Sequence, residues 1–282
     1  MMTRRLLLLV DFDETLTRTG KDTISLLASA AYKCHSAAAN LPPWSYFVDS
    51  YMRDYNDHVG QAPIRTTLEE ETEFQKSLRK AERASIDRVE GEGVFKGIKL
   101  ETLIKTAAEN RGDIMRKGWE KVVDKVSGRG RVAIVSVNWS RSWIRKCLEG
   151  SDVGKIDVFS NEFLVNSQDI TTGSLDRWFG DKDGGIWTGW DKLRVMRDIV
   201  EKNSGAGEEC LVVYVGDSTS DLLCLLEADV GVVFGEKLDK SCDTLGIEIR
   251  EGLTKGYVGK SGVSCLARVE QWREIEEWVE GL

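Results

Sequence analysis

Histidine is nearly absent: only His35 and His58 occur in 282 residues, which leaves little room for a histidine-rich zinc site or for imidazole catalysis. Long apolar runs are missing as well. The first one, Leu6 to Val10, is far too short for a signal peptide or a membrane span, so neither a leader nor a membrane partner is expected. The six cysteines, Cys34, Cys147, Cys210, Cys224, Cys242 and Cys265, show no C-x-x-C spacing, and several sit in apolar segments. They read as reduced core thiols of a cytoplasmic protein. The chain has no low-complexity tract and no internal repeat. It also lacks a basic stripe. Lys and Arg number 39 against 47 Asp and Glu, for a net charge of −8, and residues 23–127 carry 16 of each sign. Nucleic acid is therefore not an expected partner, and a small substrate fits better than a polymer.

What is present is ordinary globular composition, 41% hydrophobic and 30% charged, over a length that suits one large or two small domains. Within it, short apolar runs end in polar chemistry. Leu6-Leu7-Leu8-Leu9-Val10 reads as a buried strand and leads straight into Asp11-Phe12-Asp13-Glu14-Thr15. Arg131 to Val135 is a second strand, ending in Ser136-Val137-Asn138. Leu211 to Val215 is a third, ending in Gly216-Asp217-Ser218-Thr219-Ser220-Asp221, and Val230 to Phe234 a fourth. Lys192 opens a helical pattern between the second and third. Ligands of open parallel sheets bind beyond the carboxyl ends of the strands. Carboxylates, a hydroxyl and an ammonium collected there can hold a hard cation and attack an electrophile. Taken singly, each feature has a plainer reading: an acidic turn, a helix cap, a solvated lysine.

In order, Asp11, Asp13 and Thr15 match D-x-D-x-T, Ser136 closes a strand, Lys192 starts a helix, and Gly216, Asp217 and Asp221 match G-D-x-x-x-D. This set resembles the haloacid dehalogenase superfamily, and within it the phosphoserine-phosphatase-like branch. The resemblance implies an α/β fold: a Rossmann-like parallel sheet flanked by helices, with an α-helical cap inserted after the first strand. It implies a Mg²⁺-dependent phosphatase acting on a small phosphorylated metabolite through an aspartyl-phosphate. Asp11 would be the nucleophile and Asp13 the general acid and base, with Ser136 and Lys192 binding phosphate. The Asp11 carboxylate, the Asp13 carbonyl and Asp217 would hold the metal. Asp221 would be either a further ligand or the anchor of Lys192. A phosphomutase or phosphotransferase on the same scaffold, and a non-catalytic phosphate-binding protein, are the competing expectations.

The long stretch between Thr15 and Arg131 exceeds a simple crossover and reads as an inserted helical unit. The expected division is a catalytic core of residues 1–22 and 128–282 and a cap of residues 23–127. Helices are predicted over Asp22–Tyr32, from Trp44, over Glu69–Arg88 with a solvated charged face, over Leu100–Ala108 and over Ile114–Val126. Trp44, Phe47, Val48, Tyr51, Met52 and Tyr55 share one face of the second and read as the core of the cap in preference to a substrate wall, the competing reading. Residues 157–165 are predicted to form a further core strand, and 268–282 a sealing helix. Trp139 and the tryptophans of the Gly- and Trp-rich stretch 178–190 lie near the site in sequence. They read equally well as packing residues or as partners that stack on an aromatic leaving group.

Overall fold

The structure is a computed structural model, and it describes residues 5–36, 40–150, 155–176, 184–203, 210–254 and 265–282. Seven strands form one sheet: β1 (Arg5–Val10), β2 (Gly130–Val135), β3 (Ile156–Phe159), β6 (Cys210–Gly216), β7 (Val230–Phe234), β8 (Glu248–Glu251) and β9 (Cys265–Val269). Their order is β3-β2-β1-β6-β7-β9-β8, and every pairing is parallel. The chain winds outward from β1 to one side through β2 and β3, then to the other through β6 and β7. β1 is thus the point where strand order reverses, the usual place for a ligand in such sheets.

The Leu6–Val10 run is buried on both faces, as a central parallel strand must be. Leu6, Leu8, Val10 and Phe12 enter one core layer; Leu7 and Leu9 enter the opposite one, which holds Leu193, Met196 and Ile199 of α7 (Gly189–Asn203). Each fully buried leucine contributes about 1.5–3 kcal/mol.

Five helices lie between β1 and β2: α1 (Thr23–Cys34), α2 (Trp44–Gln61), α3 (Leu68–Glu92), α4 (Leu100–Ile114) and α5 (Trp119–Ser127). α5 packs on β1 and β2, α4 on α1 and on α6 (Arg141–Leu148), whereas α2 and α3 pair with each other and α3 leans on α7. Asp22 caps α1 by accepting from the Ser25 N–H at 2.9 Å, and Thr67 and Glu70 form a reciprocal capping box on α3. The helix predicted from Ile114 instead divides there. α4 ends at Ile114, and Gly118, at φ 95°, starts α5 from a left-handed conformation that a side chain would disfavour.

The strand predicted over 157–165 also divides. β3 joins the sheet, but β4 (Phe163–Val165) forms an antiparallel hairpin with β5 (Thr171–Leu175). Side-chain bonds turn the chain between them: Ser160 Oγ donates to Asn138 O at 2.6 Å, and Asn161 Nδ2 to Ile186 O at 3.0 Å. At the C-terminus, Arg268 belongs to β9, and the sealing helix is α10 (Trp272–Glu280). Among the described residues no helix is long and apolar enough to cross a membrane.

Candidate active site

The alternation of β1 carries on past its end. Asp11 follows Leu9 toward the α7 side, while Phe12 follows Val10 into the other layer, fully buried and edge-on to Trp143 at 6.1 Å. The Asp11 N–H donates to Val215 O at 2.9 Å, extending the β1–β6 ladder. The backbone then turns. Leu16 N–H and Thr17 N–H both donate to Phe12 O at 3.0 Å, and Glu14 sits at φ 57°, its N–H held by Thr17 Oγ1 at 2.7 Å. A side chain at that φ is uncommon, so the loop spends some stability on its shape. Trp272 of α10 buttresses it by donating Nε1–H to Thr15 O at 3.2 Å.

Strand register brings the other groups level with Asp11. Val10 is paired with Ile134 on one side and Val215 on the other, so Ser136 and Asp217 emerge at nearly the same height. Carboxylate oxygens of Asp11, Asp217 and Asp221 lie within 4.8 Å of one another, all buried. Lys192 Nζ, fully buried, sits 2.8 Å from both Asp11 Oδ1 and Asp221 Oδ1. Burial draws the ammonium down, but the charges of Asp11 and Asp221 outweigh it and hold Lys192 above its ordinary value. Burial, and next the charge of Asp221, push the Asp11 carboxyl well up against the pull of Lys192. Asp217 rises to about 6, through burial and the Asp221 charge, with Lys237 opposing.

The three carboxylates are not equivalent. Asp221 is saturated. Its Oδ1 accepts from Lys192 at 2.8 Å and Tyr214 OH at 2.9 Å, and its Oδ2 from Asp217 N–H, Ser218 N–H and Ser218 Oγ at 3.1–3.2 Å. Asp217 accepts from Lys237 Nζ at 2.8 Å and from Thr15 Oγ1 at 3.3 Å. Asp11 Oδ1 is buried and, for all its closeness to Lys192, has no hydrogen-bond partner among the described residues. A buried carboxylate oxygen left over beside a second carboxylate is the donor chemistry that suits a hard divalent cation such as Mg²⁺. Asp11 and Asp217 have oxygens to offer it; Asp221 serves Lys192.

Asp13 stands apart from this triangle. Its Oδ1 accepts from Thr23 Oγ1 at 2.5 Å and its Oδ2 from Asn138 Nδ2 at 3.0 Å. Burial raises its pKa, and those two bonds only partly offset the rise. Ser136, also fully buried, accepts from the Asn138 N–H at 3.1 Å, which leaves its own proton to donate. Thr23 and Asn138 were not expected at the site from sequence, nor were Tyr214 and Lys237. The legible hint was Tyr214, a polar tip inside an aliphatic strand.

α3 is tied to the same loops. Gln75 of α3, fully buried, accepts from the Gly189 N–H at 3.1 Å and donates to Thr219 O at 3.2 Å. A side chain at Gly189 would meet Ser220 O at 2.8 Å and Gln75 Oε1 at 2.9 Å, so this approach requires glycine. One turn on, Arg79 pairs with the buried Asp191 of α7.

Between α2, α3 and the strand ends lies a cavity of about 360 Å³ that reaches Asp13 and Asn138. Trp44, Phe47, Val48, Tyr51 and Met52 line it. The aromatic stripe read as cap core is therefore largely a cavity wall; of α2, only Phe47 and Ser50 are buried. The reason is that α2 packs along its length on α3, while its N-terminal end alone reaches the core, where Trp44 Nε1 donates to Ser25 Oγ at 2.8 Å and the Trp44 ring meets Trp139 at 6.3 Å. Trp139 and Trp187 line the same cavity, whereas Trp178 and the rest of 177–183 lie outside the described residues.

Comparison with known proteins agrees with this geometry. The family of haloacid dehalogenase-like hydrolases matches residues 8–226. Cold tolerance protein 1 of Saccharomyces cerevisiae is 27% identical over 247 residues, 78% of this chain and 75% of that protein. The mitochondrial Bifunctional TH2 protein of Arabidopsis thaliana is 31% identical over 172 residues, 59% of this chain but only 25% of that much longer protein. Among solved structures, a phospho-aspartyl intermediate analogue of phosphoserine phosphatase superposes with a TM-score of 0.55 at 18% identity, covering 98% of this chain and 99% of that one, a likeness of fold.

Proposed function

The chain belongs to the haloacid dehalogenase-like hydrolases, and on that premise we propose that it hydrolyses a small phosphomonoester through phosphorylation of Asp11. The observation that carries this reading is the separation of two kinds of carboxylate. Asp11 is locked between Lys192 and the acidic pair, while Asp13 is held aside by Thr23 and Asn138 with a raised pKa.

Asp11 attacks phosphorus and the ester P–O bond breaks, while Asp13 gives its proton to the departing alkoxide. Water then attacks the aspartyl-phosphate, Asp13 takes back a proton, and the Asp11–phosphate bond breaks to release inorganic phosphate. Lys192 and Ser136 bind phosphate oxygens, and Asp221 with Tyr214 fixes the ammonium in place. Mg²⁺ bound by Asp11 and Asp217, with the Asp13 carbonyl, would screen the repulsion between nucleophile and phosphate.

The test is phosphate release from a panel of phosphomonoesters with Mg²⁺, with EDTA, and in Asp11→Asn. Release that needs Mg²⁺ and is lost in the variant is the expected result. Release that survives Asp11→Asn would sink the covalent mechanism, and conversion to an isomer without free phosphate would favour a mutase.

A further inference from the structure

The cavity between cap and core has a composition that selects among phosphomonoesters. Its walls are aromatic: Trp44, Phe47 and Tyr51 from α2, Trp139 and Trp187 from the core. Its charged lining is of one sign. Asp13, Asp22 and Glu82 face it, and among the described residues no lysine or arginine does. The nearby arginines of α3 are engaged elsewhere, Arg79 with Asp191, Arg83 with Asp87 and Glu90, and Arg88 with Asp54.

Glu82 is the unexplained member. It lies partly buried between α2 and α3, where it accepts from Tyr51 OH at 2.9 Å, and among the described residues no cation pairs with it. A carboxylate in such surroundings is costly unless a counter-charge arrives. Burial pushes its pKa up to about 7, so a positive ligand has a charge to restore there.

Resting on the phosphatase reading above, we propose that the substrate is the phosphomonoester of a flat aromatic ring bearing a positive charge. The phosphate sits at Asp11 and Lys192, and the ring lies against the tryptophans with its charge toward Glu82. Aromatic faces attract cations, and acidic groups add to that field. A volume of about 360 Å³ holds one ring and a short linker. The alternatives fit less well. The carboxylate of an amino-acid phosphate would meet three acidic groups and no cation. A sugar phosphate could offer hydroxyls to Ser85 and the carboxylates but brings no positive charge to balance Glu82.

The test compares kcat/KM for N-methylpyridinium-3-ylmethyl phosphate, for benzyl phosphate as its neutral counterpart, and for phosphoserine, in the parent protein and in Glu82→Gln. The cationic ester should exceed the benzyl ester by tenfold or more, with phosphoserine last, and Glu82→Gln should lower the first ratio at least threefold. Calorimetric binding of the phosphate-free alcohol, N-methyl-3-(hydroxymethyl)pyridinium, against benzyl alcohol reads the pocket without turnover and without relying on the variant. A preference for benzyl phosphate or phosphoserine, a ratio untouched by Glu82→Gln, or no preference for the cationic alcohol would overturn the proposal. Turnover failing for every ester while the cationic alcohol binds would refute the hydrolase reading and leave the pocket's selectivity standing.

Discussion

Replacing Asp11 by Asn should abolish phosphate release and yet make the metal-free protein more stable. The carboxylate oxygens of Asp11, Asp217 and Asp221 lie within 4.8 Å of one another, and Lys192 Nζ lies 2.8 Å from Asp11. At an effective dielectric of about 20, each carboxylate at that limit repels Asp11 by about 3.5 kcal/mol, and the ammonium attracts it by about 6 kcal/mol. The two repulsions together slightly exceed the attraction, and the neutral amide also avoids the cost of burying a charge, several kcal/mol per ion in proteins. The amide oxygen keeps its dipole against the Lys192 ammonium, 2.8 Å from Asp11 Oδ1 in the parent. A net gain of at least about 1 kcal/mol is expected, which for a chain of this size raises Tm by at least roughly 2 °C. Scanning calorimetry in EDTA above pH 7 measures it. Adding Mg²⁺ should then raise the Tm of the parent more than that of the variant, because a ligand stabilises the state it binds. A variant that melts below its parent in EDTA would show that the Lys192 pair, not carboxylate crowding, governs this site.

Asp13→Asn should fold normally and lose about 10²–10⁴ in kcat, the usual worth of a general acid and base; a smaller loss in steady-state assays would place the proton elsewhere. Gly216→Ala would set a methyl 2.5 Å from the Asp221 side chain, costing about 1–3 kcal/mol and displacing the anchor of Lys192. Denaturant titration and phosphate release should fall together, and an unchanged midpoint would count against the close packing. For Glu82 the sign follows from a folded pKa raised from 4.5 to about 7. The folded state holds the proton longer, so the stabilisation is complete below pH 4.5 and is lost as pH rises through 7. Glu82→Gln should therefore gain on its parent between pH 5 and 8.5, by at most about 3 kcal/mol, and Tm differences that stay flat across that range would refute it.

Four strands of the sheet were legible because a buried parallel strand leaves a short apolar run, and what followed three of those runs named the chemistry at their ends. Asp11, Lys192, Asp217 and Asp221 meet because sheet register and the α7 layer bring them together, which strand order alone implied. The partners of Asp13 were not legible. Thr23 looks like the start of an ordinary helix and Asn138 like a loop residue, and only tertiary folding sets them beside the carboxylate. The same holds for the break after β3, where Ser160 and Asn161 bond to a neighbouring strand end rather than continue their own. The α2 stripe misled for a different reason. Helical periodicity says that one face is apolar, but not whether protein or an open cavity lies against it.

Gln75 joins three segments that the chain keeps far apart: the cap helix itself, the first residue of the helix bearing Lys192, and the loop bearing Asp217 and Asp221. Lifting α3 away from the core means surrendering both of these bonds, and with them the braces on the helix bearing Lys192 and on the loop bearing Asp217 and Asp221. On the proposed hydrolase reading, admission of substrate and readiness for chemistry would share a single coordinate, like a door whose bolt also closes the circuit. A molecule that entered without keeping α3 in place would leave the circuit open, so discrimination would be exercised through commitment to reaction as well as through the strength of binding.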